Sequence, residues 1–153
     1  MVDYPSFELV KAESFSFRGS RITVSLSTFE TGGKYAIMDM VHPPHVGPAL
    51  HIHPRGPESF FVISGSYLFV RGDQRITLGA GEAISIPAGV PHRYTTGSEG
   101  GRALVVCPPD LENYFESVAE LLQAGALSLD GEFAIAKRYG QEFLTHAGHW
   151  DVS

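Results

Sequence analysis

The sequence is poor in cysteine and has no recognisable targeting signal. Its one cysteine among 153 residues, Cys107, leaves no partner for an intrachain disulfide. The first residues, MVDYPSFELVKAESF, contain neither the basic region nor the apolar stretch of a secretory signal. Proteins of oxidising compartments commonly carry disulfides. We therefore predict a cytoplasmic protein.

Positive charge is also scarce. The sequence has 11 Lys and Arg residues against 17 Asp and Glu residues, which gives a formal net charge of −6. The basic residues are scattered, so they form no patch that would neutralise a row of phosphates. Nucleic acids and membranes are therefore not expected partners.

The length limits the domain organisation. A chain of 153 residues suits one compact domain, and we predict a single domain over residues 1–153. A domain of this size buries about 68–70% of its unfolded surface. Such a domain needs no disulfide or structural metal to fold, so a bound metal would serve chemistry.

Short strand-like segments recur through most of the chain. They are rich in β-branched and aromatic residues and are separated by Gly, Pro and Asp: RITVSL, KYAIMDMV, ESFFVI, SYLFVRG, QRITL, EAISIP, HRYTT and RALVVC. This rhythm predicts an all-β fold, an antiparallel sandwich or barrel with its core at about residues 21–107. Gly72 and Asp73 suit a tight hairpin, and Ser64 and Gly65 predict another sharp reversal. Each strand would then meander beside its neighbours in sequence.

A helical tail is predicted after the strands, at about residues 110–140. Asp110 can cap a first helix, which would end near Gly125. Apolar residues recur there at steps of three and four: Leu111, Tyr114, Phe115, Val118, Leu121 and Leu122. A second short helix is predicted from Gly131 to Tyr139. We expect both helices to pack their apolar sides on the outside of the barrel.

Four residues are spaced as the ligands of a metal ion. His51 and His53 are separated by one residue, so on a strand their imidazoles share a face, about 6.6 Å apart at the backbone. Glu58 follows a Pro-Arg-Gly-Pro turn that would swing its carboxylate back beside them. His92 comes from a distant segment, after a turn with proline and glycine. Because imidazole and carboxylate groups bind transition metals, we predict one metal ion at these four residues.

The four residues lie in two segments, His51 to Gly65 and Gly81 to Thr96, that resemble the two motifs of the cupin superfamily. The first motif reads G-x5-H-x-H-x(3–4)-E-x6-G, and the sequence fits it from His51 through Glu58 to Gly65. The second reads G-x5-P-x-G-x2-H-x3-N, and four of its positions are in register: Gly81, Pro87, Gly89 and His92. The resemblance covers about residues 35–107.

Two positions depart from the cupin motifs. His45 stands where the first motif opens with glycine, although Gly47 is close by, and Thr96 replaces the closing asparagine of the second motif. Neither position is a metal ligand in the motifs. The departures therefore bear on the strand boundaries more than on the metal site.

The resemblance implies a fold and an activity. The fold would be an antiparallel double-stranded β-helix, a jelly-roll-like barrel, with a short C-terminal helical tail. The chain is similar to small quercetin-dioxygenase-like cupins, which implies a metal-dependent oxygenase that combines dioxygen with a small organic substrate, aromatic or enolic. Glu58 would be a ligand and also the base that accepts the substrate proton. The ion would be Fe, Mn, Ni, Co, Cu or Zn, and the resemblance also implies a homodimer.

Two alternative functions use the same ligands. One is a redox-silent isomerase, cyclase or lyase in which the ion acts only as a Lewis acid. The other is a non-enzymatic ligand-binding cupin. The complete set of four ligands argues against the second alternative, because a barrel that only binds an organic molecule needs no converging metal ligands.

Strand alternation predicts the lining of the substrate pocket. If Glu58 and His92 point inward, the alternate residues on their strands, Phe60, Val62 and Tyr94, also point inward. With Met38 from a further wall, the strand at residues 35–40, they form an apolar, aromatic lining. The further wall has two possible faces, one with Tyr35, Ile37 and Asp39, the other with Ala36, Met38 and Met40. Arg55, on the loop between the ligands, is a candidate for a substrate anion.

Four further histidines have open roles. His42 and His45 lie in a proline-rich run, where they would guard the barrel mouth, donate protons or simply belong to a surface loop. His146 and His149 lie in the tail, for which disorder or a subunit contact is expected.

Overall fold

The computed structural model describes residues 1–3 and 12–151, and nine strands of this part form one antiparallel sheet. The strands are β1 (Glu13–Phe17), β2 (Ser20–Leu26), β3 (Ala36–His42), β4 (His51–Ile52), β5 (Glu58–Arg71), β6 (Gln74–Gly79), β7 (Ala83–Ile86), β8 (His92–Cys107) and β9 (Glu142–Phe143). Two helices, α1 (Leu111–Gln123) and α2 (Leu129–Arg138), lie between β8 and β9, and a 3-10 turn (His149–Asp151) follows.

The sheet has two halves that share the long strands β5 and β8. One half has the order β1-β2-β3-β8-β5-β7, and the other has the order β6-β5-β8-β4-β9.

The predicted meander is wrong, because β8 pairs with β3, β4 and β5, all of them distant in sequence. The predicted jelly-roll topology is confirmed. Within residues 12–151 the hydrogen-bonded sheet does not close into a ring.

The predicted reversal at Ser64 and Gly65 is also wrong, because both residues lie inside β5. The pairing of β5 with β8 shifts register on both sides of this point, as β-bulges do where a strand bends. Gly65 has φ 72°, and a Cβ atom there would lie 2.1 Å from the carbonyl oxygen of Gly100 in β8. Glycine therefore lets the two strands bend together and pass from one half to the other. The hairpin at Gly72 and Asp73 is confirmed between β5 and β6.

The inner faces of the two halves form the hydrophobic core. Alternate residues of β3 are buried, so the wall with Ala36, Met38 and Met40 faces inward, and Tyr35 is exposed. The same alternation buries Phe60 and Val62 on β5. Aromatic side chains fill the middle of this core, where the ring centroids of Tyr94 and Phe60 lie 5.3 Å apart.

Both tail helices are present, with corrections at their starts. The side chain of Asp110 makes no capping hydrogen bond to α1; its carboxylate binds Arg55 instead. α2 begins two residues earlier than predicted, because the hydroxyl of Ser128 accepts a hydrogen bond from the backbone N–H of Gly131. Phe115 of α1 packs edge-on against Phe17 of β1.

No helix in the described residues is long and apolar enough to span a membrane.

Residues 142–151 belong to the fold, contrary to the expectation of disorder, while a subunit contact of this segment stays a prediction. β9 pairs with β4, which places Phe143 opposite His51. His149 is completely buried, whereas His146 is exposed. The backbone N–H of Trp150 donates to the carbonyl of Gly47 at 2.6 Å. Residues 142–150 therefore cover one end of the sheet beside β4.

Candidate metal centre

The four predicted ligands come together in one buried cluster. Each of His51, His53, Glu58 and His92 offers a ligand atom, and these atoms all lie within 4.8 Å of one another. Each of these residues is 5% exposed or less. Oε1 of Glu58 lies 3.1 Å from Nε2 of His92 and 3.2 Å from Nε2 of His53.

Strand ends and turns place these side chains. His51 begins β4 and lies opposite His92, which begins β8. Glu58 begins β5 after the turn that the two prolines and the glycine impose. The backbone N–H of Gly89 donates to the carbonyl of His53 at 3.0 Å, which ties the second motif to the first. The glycine and proline positions of the motifs thus bring the ligands together.

Backbone carbonyls fix two of the imidazole rings. Nδ1 of His51 lies 2.7 Å from the carbonyl oxygen of Ala49, and Nδ1 of His92 lies 2.8 Å from that of Val90. Because a carbonyl only accepts, each Nδ1 must carry the hydrogen, and each neutral ring keeps a lone pair on Nε2. Metal-binding histidines are commonly oriented in this way.

The cluster fits a bound cation. Nε2 of His92 lies 3.1 Å from the carboxylate of Glu58. In a neutral His92 ring this nitrogen has no hydrogen, so its lone pair would face a lone pair of the carboxylate oxygen. A proton or a metal ion between them removes this repulsion. Among the described residues, neither ring nitrogen of His53 has a hydrogen-bond partner, despite the short distance from its Nε2 to Glu58. Since buried polar atoms normally have partners, this ring also requires a ligand.

Burial and mutual charge shift the ionisation of the cluster. Burial raises the pKa of the Glu58 carboxyl, but the nearby charges of His53 and His92, when these rings are protonated, and the hydrogen bond of His92 outweigh it and hold this pKa well below its usual range. Burial, together with the charges of His92 and His53, lowers the pKa of His51 well below its ordinary value. An anionic carboxylate and a neutral imidazole are the forms that bind metal ions.

A chain of polar rings lies beside the cluster, and the sequence alone did not reveal it. Tyr94 follows His92 by two residues and so shares its inward face. Its hydroxyl lies 3.2 Å from Nε2 of His42, and Nδ1 of His42 lies 2.8 Å from the hydroxyl of Tyr67. Burial lowers the pKa of His42 to about 3, so this ring is neutral. His42 is therefore an interior residue, while His45 lies exposed in the adjoining loop.

Arg55 differs from the other predicted pocket residues. Phe60, Val62, Tyr94 and Met38 are buried in the core. The guanidinium of Arg55 is 44% exposed, and it donates to the carboxylate of Asp110 at 3.1 Å. Its place in a substrate pocket stays a prediction.

The two departures from the cupin motifs have structural explanations. A Cβ atom on Gly47 would lie 1.8 Å from the carbonyl oxygen of Tyr94, so this glycine allows the loop before β4 to contact β8. The hydroxyl of Thr96 accepts from the N–H of Val46 at 3.0 Å and donates to the carbonyl of Pro43 at 2.7 Å. Gly47 and Thr96 together hold the loop that leads to His51.

One family model matches part of the chain, and solved structures share its fold. Residues 38–107 match the family model described as Cupin domain. KdgF from Halomonas sp. has a TM-score of 0.58 at 13% identity, over 66% of this chain and 91% of that one. The polyketide cyclase RemF from Streptomyces resistomycificus has a TM-score of 0.56 at 24% identity, over 67% of this chain and 80% of that one.

A third solved structure shares the fold. It is an uncharacterised conserved protein with a double-stranded β-helix domain from Klebsiella pneumoniae, with a TM-score of 0.50 at 26% identity, over 57% of this chain and 74% of that one. No curated protein sequence matches the chain. The shared topology defines this protein as a double-stranded β-helix of the cupin type. Residues 38–107 match the Cupin domain model, and the described part of the chain has the fold of these solved structures.

Proposed function

We propose that His51, His53, Glu58 and His92 hold one divalent transition-metal ion and that the chain is a metal-dependent enzyme for a small organic substrate. The convergence of four buried ligand atoms within 4.8 Å carries this proposal. Three imidazoles and one carboxylate suit Fe, Mn, Ni, Co, Cu or Zn. Four protein ligands leave positions open on a six-coordinate ion, which is typical of catalytic sites.

Oxygenation of an aromatic or enolic substrate is the first candidate reaction. When bound, a redox-active ion would supply Lewis acidity and electron transfer to dioxygen. Glu58 supplies a buried carboxylate that can accept a substrate proton at Oε1. Phe60, Tyr94 and Met38 are buried apolar and aromatic side chains, which as the lining of the pocket would favour a planar organic molecule.

A redox-silent isomerase, cyclase or lyase is the second candidate, and the ring chain beside the ligands supports it. Tyr94, His42 and Tyr67 are joined by hydrogen bonds of 3.2 and 2.8 Å inside the core. Such a chain can hold a proton at the Tyr94 hydroxyl and pass it on without dioxygen. A non-enzymatic ligand-binding role would leave the four converging ligands without a purpose.

Metal reconstitution separates these reactions. The protein would be purified without chelators, analysed for metals, stripped, and loaded without oxygen with Fe(II), Mn(II), Co(II), Ni(II) or Zn(II). An oxygenase takes up dioxygen with enolic or phenolic compounds when loaded with redox-active ions, and it is inert with zinc. Turnover with zinc and no oxygen uptake would favour the second candidate. A chain that binds none of these ions would refute the metal site and both reactions.

We also propose the homodimer that the resemblance implies. Large apolar side chains are exposed on the outer face of β5 and β8: Phe61, Leu104 and Val106. Phe61 and Leu104 are direct cross-strand partners, so these side chains form a continuous surface. A second copy of the chain would remove this apolar surface from water.

A further inference from the structure

A second buried cluster surrounds the carboxylate of Glu132 on α2. It joins α2 to α1, to the 3-10 turn at His149–Asp151 and to the turn between β1 and β2. Glu132 is completely buried, and its oxygens accept hydrogen bonds from both terminal nitrogens of Arg18. The hydroxyl of Tyr114 on α1 and Nε2 of His149 each donate to Oε2 at 2.6 Å. Burial raises the pKa of Glu132, but these hydrogen bonds outweigh it and lower this pKa to about 2. The carboxylate is therefore ionised and fully paired.

The other nitrogen of His149 reaches the loop before β4. The backbone N–H of Ala49 donates to Nδ1 of His149 at 3.1 Å. Because an amide N–H only donates, Nδ1 must be without a hydrogen, so Nε2 carries the hydrogen that it gives to Glu132. The two contacts together select one neutral tautomer and fix the ring in both directions.

Ala49 continues this connection to a predicted metal ligand. Its carbonyl oxygen accepts the hydrogen bond from Nδ1 of His51 at 2.7 Å, and Ala49 itself is completely buried. The N–H held by His149 and the carbonyl that orients His51 therefore belong to the same residue. Phe143 of β9 packs on the His51 ring at 5.3 Å between centroids, so the tail also contacts the ligand directly.

We propose that Glu132 and His149 are positioning residues of the metal centre. Glu132 orients His149, His149 holds the Ala49 backbone, and the Ala49 carbonyl sets the ring and tautomer of His51. The proposal rests on the proposed function, because it requires the cluster at His51 to bind a metal ion. Loss of partners that orient metal ligands typically lowers metal affinity about 10–100-fold.

Two substitutions of His149 separate positioning from simple stability. In His149→Asn the amide oxygen stands near the place of Nδ1, so it can still accept from Ala49, but the group no longer reaches Glu132. In His149→Gln the amide stands near the place of Nε2, so it can donate to Glu132 but leaves the N–H of Ala49 unpaired. Each variant loses one of the two contacts of the ring. Only His149→Gln breaks the connection to His51.

The readout is titration of the metal-free full chain with Co(II), followed by its visible absorption, together with thermal unfolding of each metal-free variant. We expect His149→Gln to bind Co(II) about 10–100-fold more weakly and to change the absorption spectrum. His149→Asn should keep the wild-type spectrum and an affinity within about three-fold of the wild type, even if it unfolds at a lower temperature, because an amide oxygen accepts from Ala49 without a tautomer that Glu132 must select. Arg18→Gln is the matched control, because it removes another partner of Glu132 and leaves the His149–Ala49 contact in place.

Three results would overturn the proposal. One is wild-type Co(II) affinity and spectrum in His149→Gln. Another is an equal loss of affinity in Arg18→Gln and both His149 variants, which would mean that only stability matters. A wild-type chain that binds neither Co(II) nor another divalent ion would refute the proposed function, and this proposal with it. If His149→Gln does not fold, Glu132→Leu replaces it: the proposal requires weaker Co(II) binding than in Arg18→Gln, and equal binding overturns it.

Discussion

His51 and His92 lie directly opposite each other in neighbouring strands, with ring centroids 4.3 Å apart. They come from the two cupin-like motifs of the chain, 41 positions apart, yet each begins its strand and each donates from Nδ1 to a carbonyl two residues earlier. The two halves of the centre are therefore built in the same way.

Replacement of His51 or His53 by alanine should lower Co(II) or Zn(II) affinity by more than about 100-fold, because a direct ligand is lost. The metal-free variants should remain folded, since the core does not depend on these rings. His146→Ala is the matched control, because that imidazole is exposed. Metal titration and circular dichroism on the same samples check this prediction. Unchanged affinity in both ligand variants would contradict the site.

Glu58→Gln should keep some bound metal but lose most turnover. The amide leaves an oxygen near the ion, whereas the negative charge and the proton acceptor disappear. Bound metal and activity would be measured on one preparation after the substrate class is known. Normal turnover in this variant would show that the carboxylate is neither an essential ligand nor the base.

Gly47→Ala should lower the stability by roughly 1–3 kcal/mol and weaken metal binding, because the new Cβ atom would meet the Tyr94 carbonyl at 1.8 Å and move the loop before His51. Gly56→Ala is the control. Its Cβ atom would have its nearest neighbour at 3.9 Å, and its φ is not in the left-handed region. Chemical unfolding and Co(II) titration of both variants measure the two effects. Equal behaviour of the variants would be inconsistent with the close contact.

The pH dependence of stability should contain a contribution from Glu132. Its pKa falls from the ordinary value of 4.5 to about 2 in the folded chain. A depressed carboxyl pKa stabilises the fold fully above pH 4.5, and this contribution disappears as the pH falls towards 2. Glu132→Gln should therefore be less stable than the wild type by on the order of 3 kcal/mol at neutral pH. The difference should shrink below pH 4.5 in urea unfolding, and a difference independent of pH would contradict the ionised state.

Leu104→Asp should convert a dimer of this chain to a monomer, because it places a charge in the exposed apolar surface of β5 and β8. Leu144→Asp is the control, since Leu144 is similarly exposed at 47% but lies in the tail. Light scattering after size-exclusion chromatography gives the mass of each protein. A monomeric wild type would remove the basis of the dimer proposal.

The predictions from sequence succeeded where the signal is local. Because side chains alternate along a strand, the two histidines of a His-x-His pair share a face. The prolines and glycine of the second motif predict the turn before His92. The pairing of β3 with β8 has no local signal, because register between distant strands depends on the whole sheet. The meander and the reversal at Gly65 were wrong for this reason.

The tail shows a different limit. Glu132 stands on a short helix among other polar residues, where a charged side chain normally faces water. Its burial depends on Arg18, Tyr114 and His149, which are 114, 18 and 17 residues away. No periodicity in a single sequence reports such a network. The roles of Glu132 and His149 could therefore be found only from the folded chain.

The position of β4 between β8 and β9 has a consequence for the order of events during synthesis. β4 has two residues, and its partners are His92 on one side and residues 142–143 on the other. The backbone around His51 therefore acquires its full set of hydrogen bonds only after residue 149 has left the ribosome. Pairing between residues so distant in sequence is slow, because the loop between them must close first. If the four ligands hold a metal ion as proposed, we expect the ion to bind only after residue 149 has been translated.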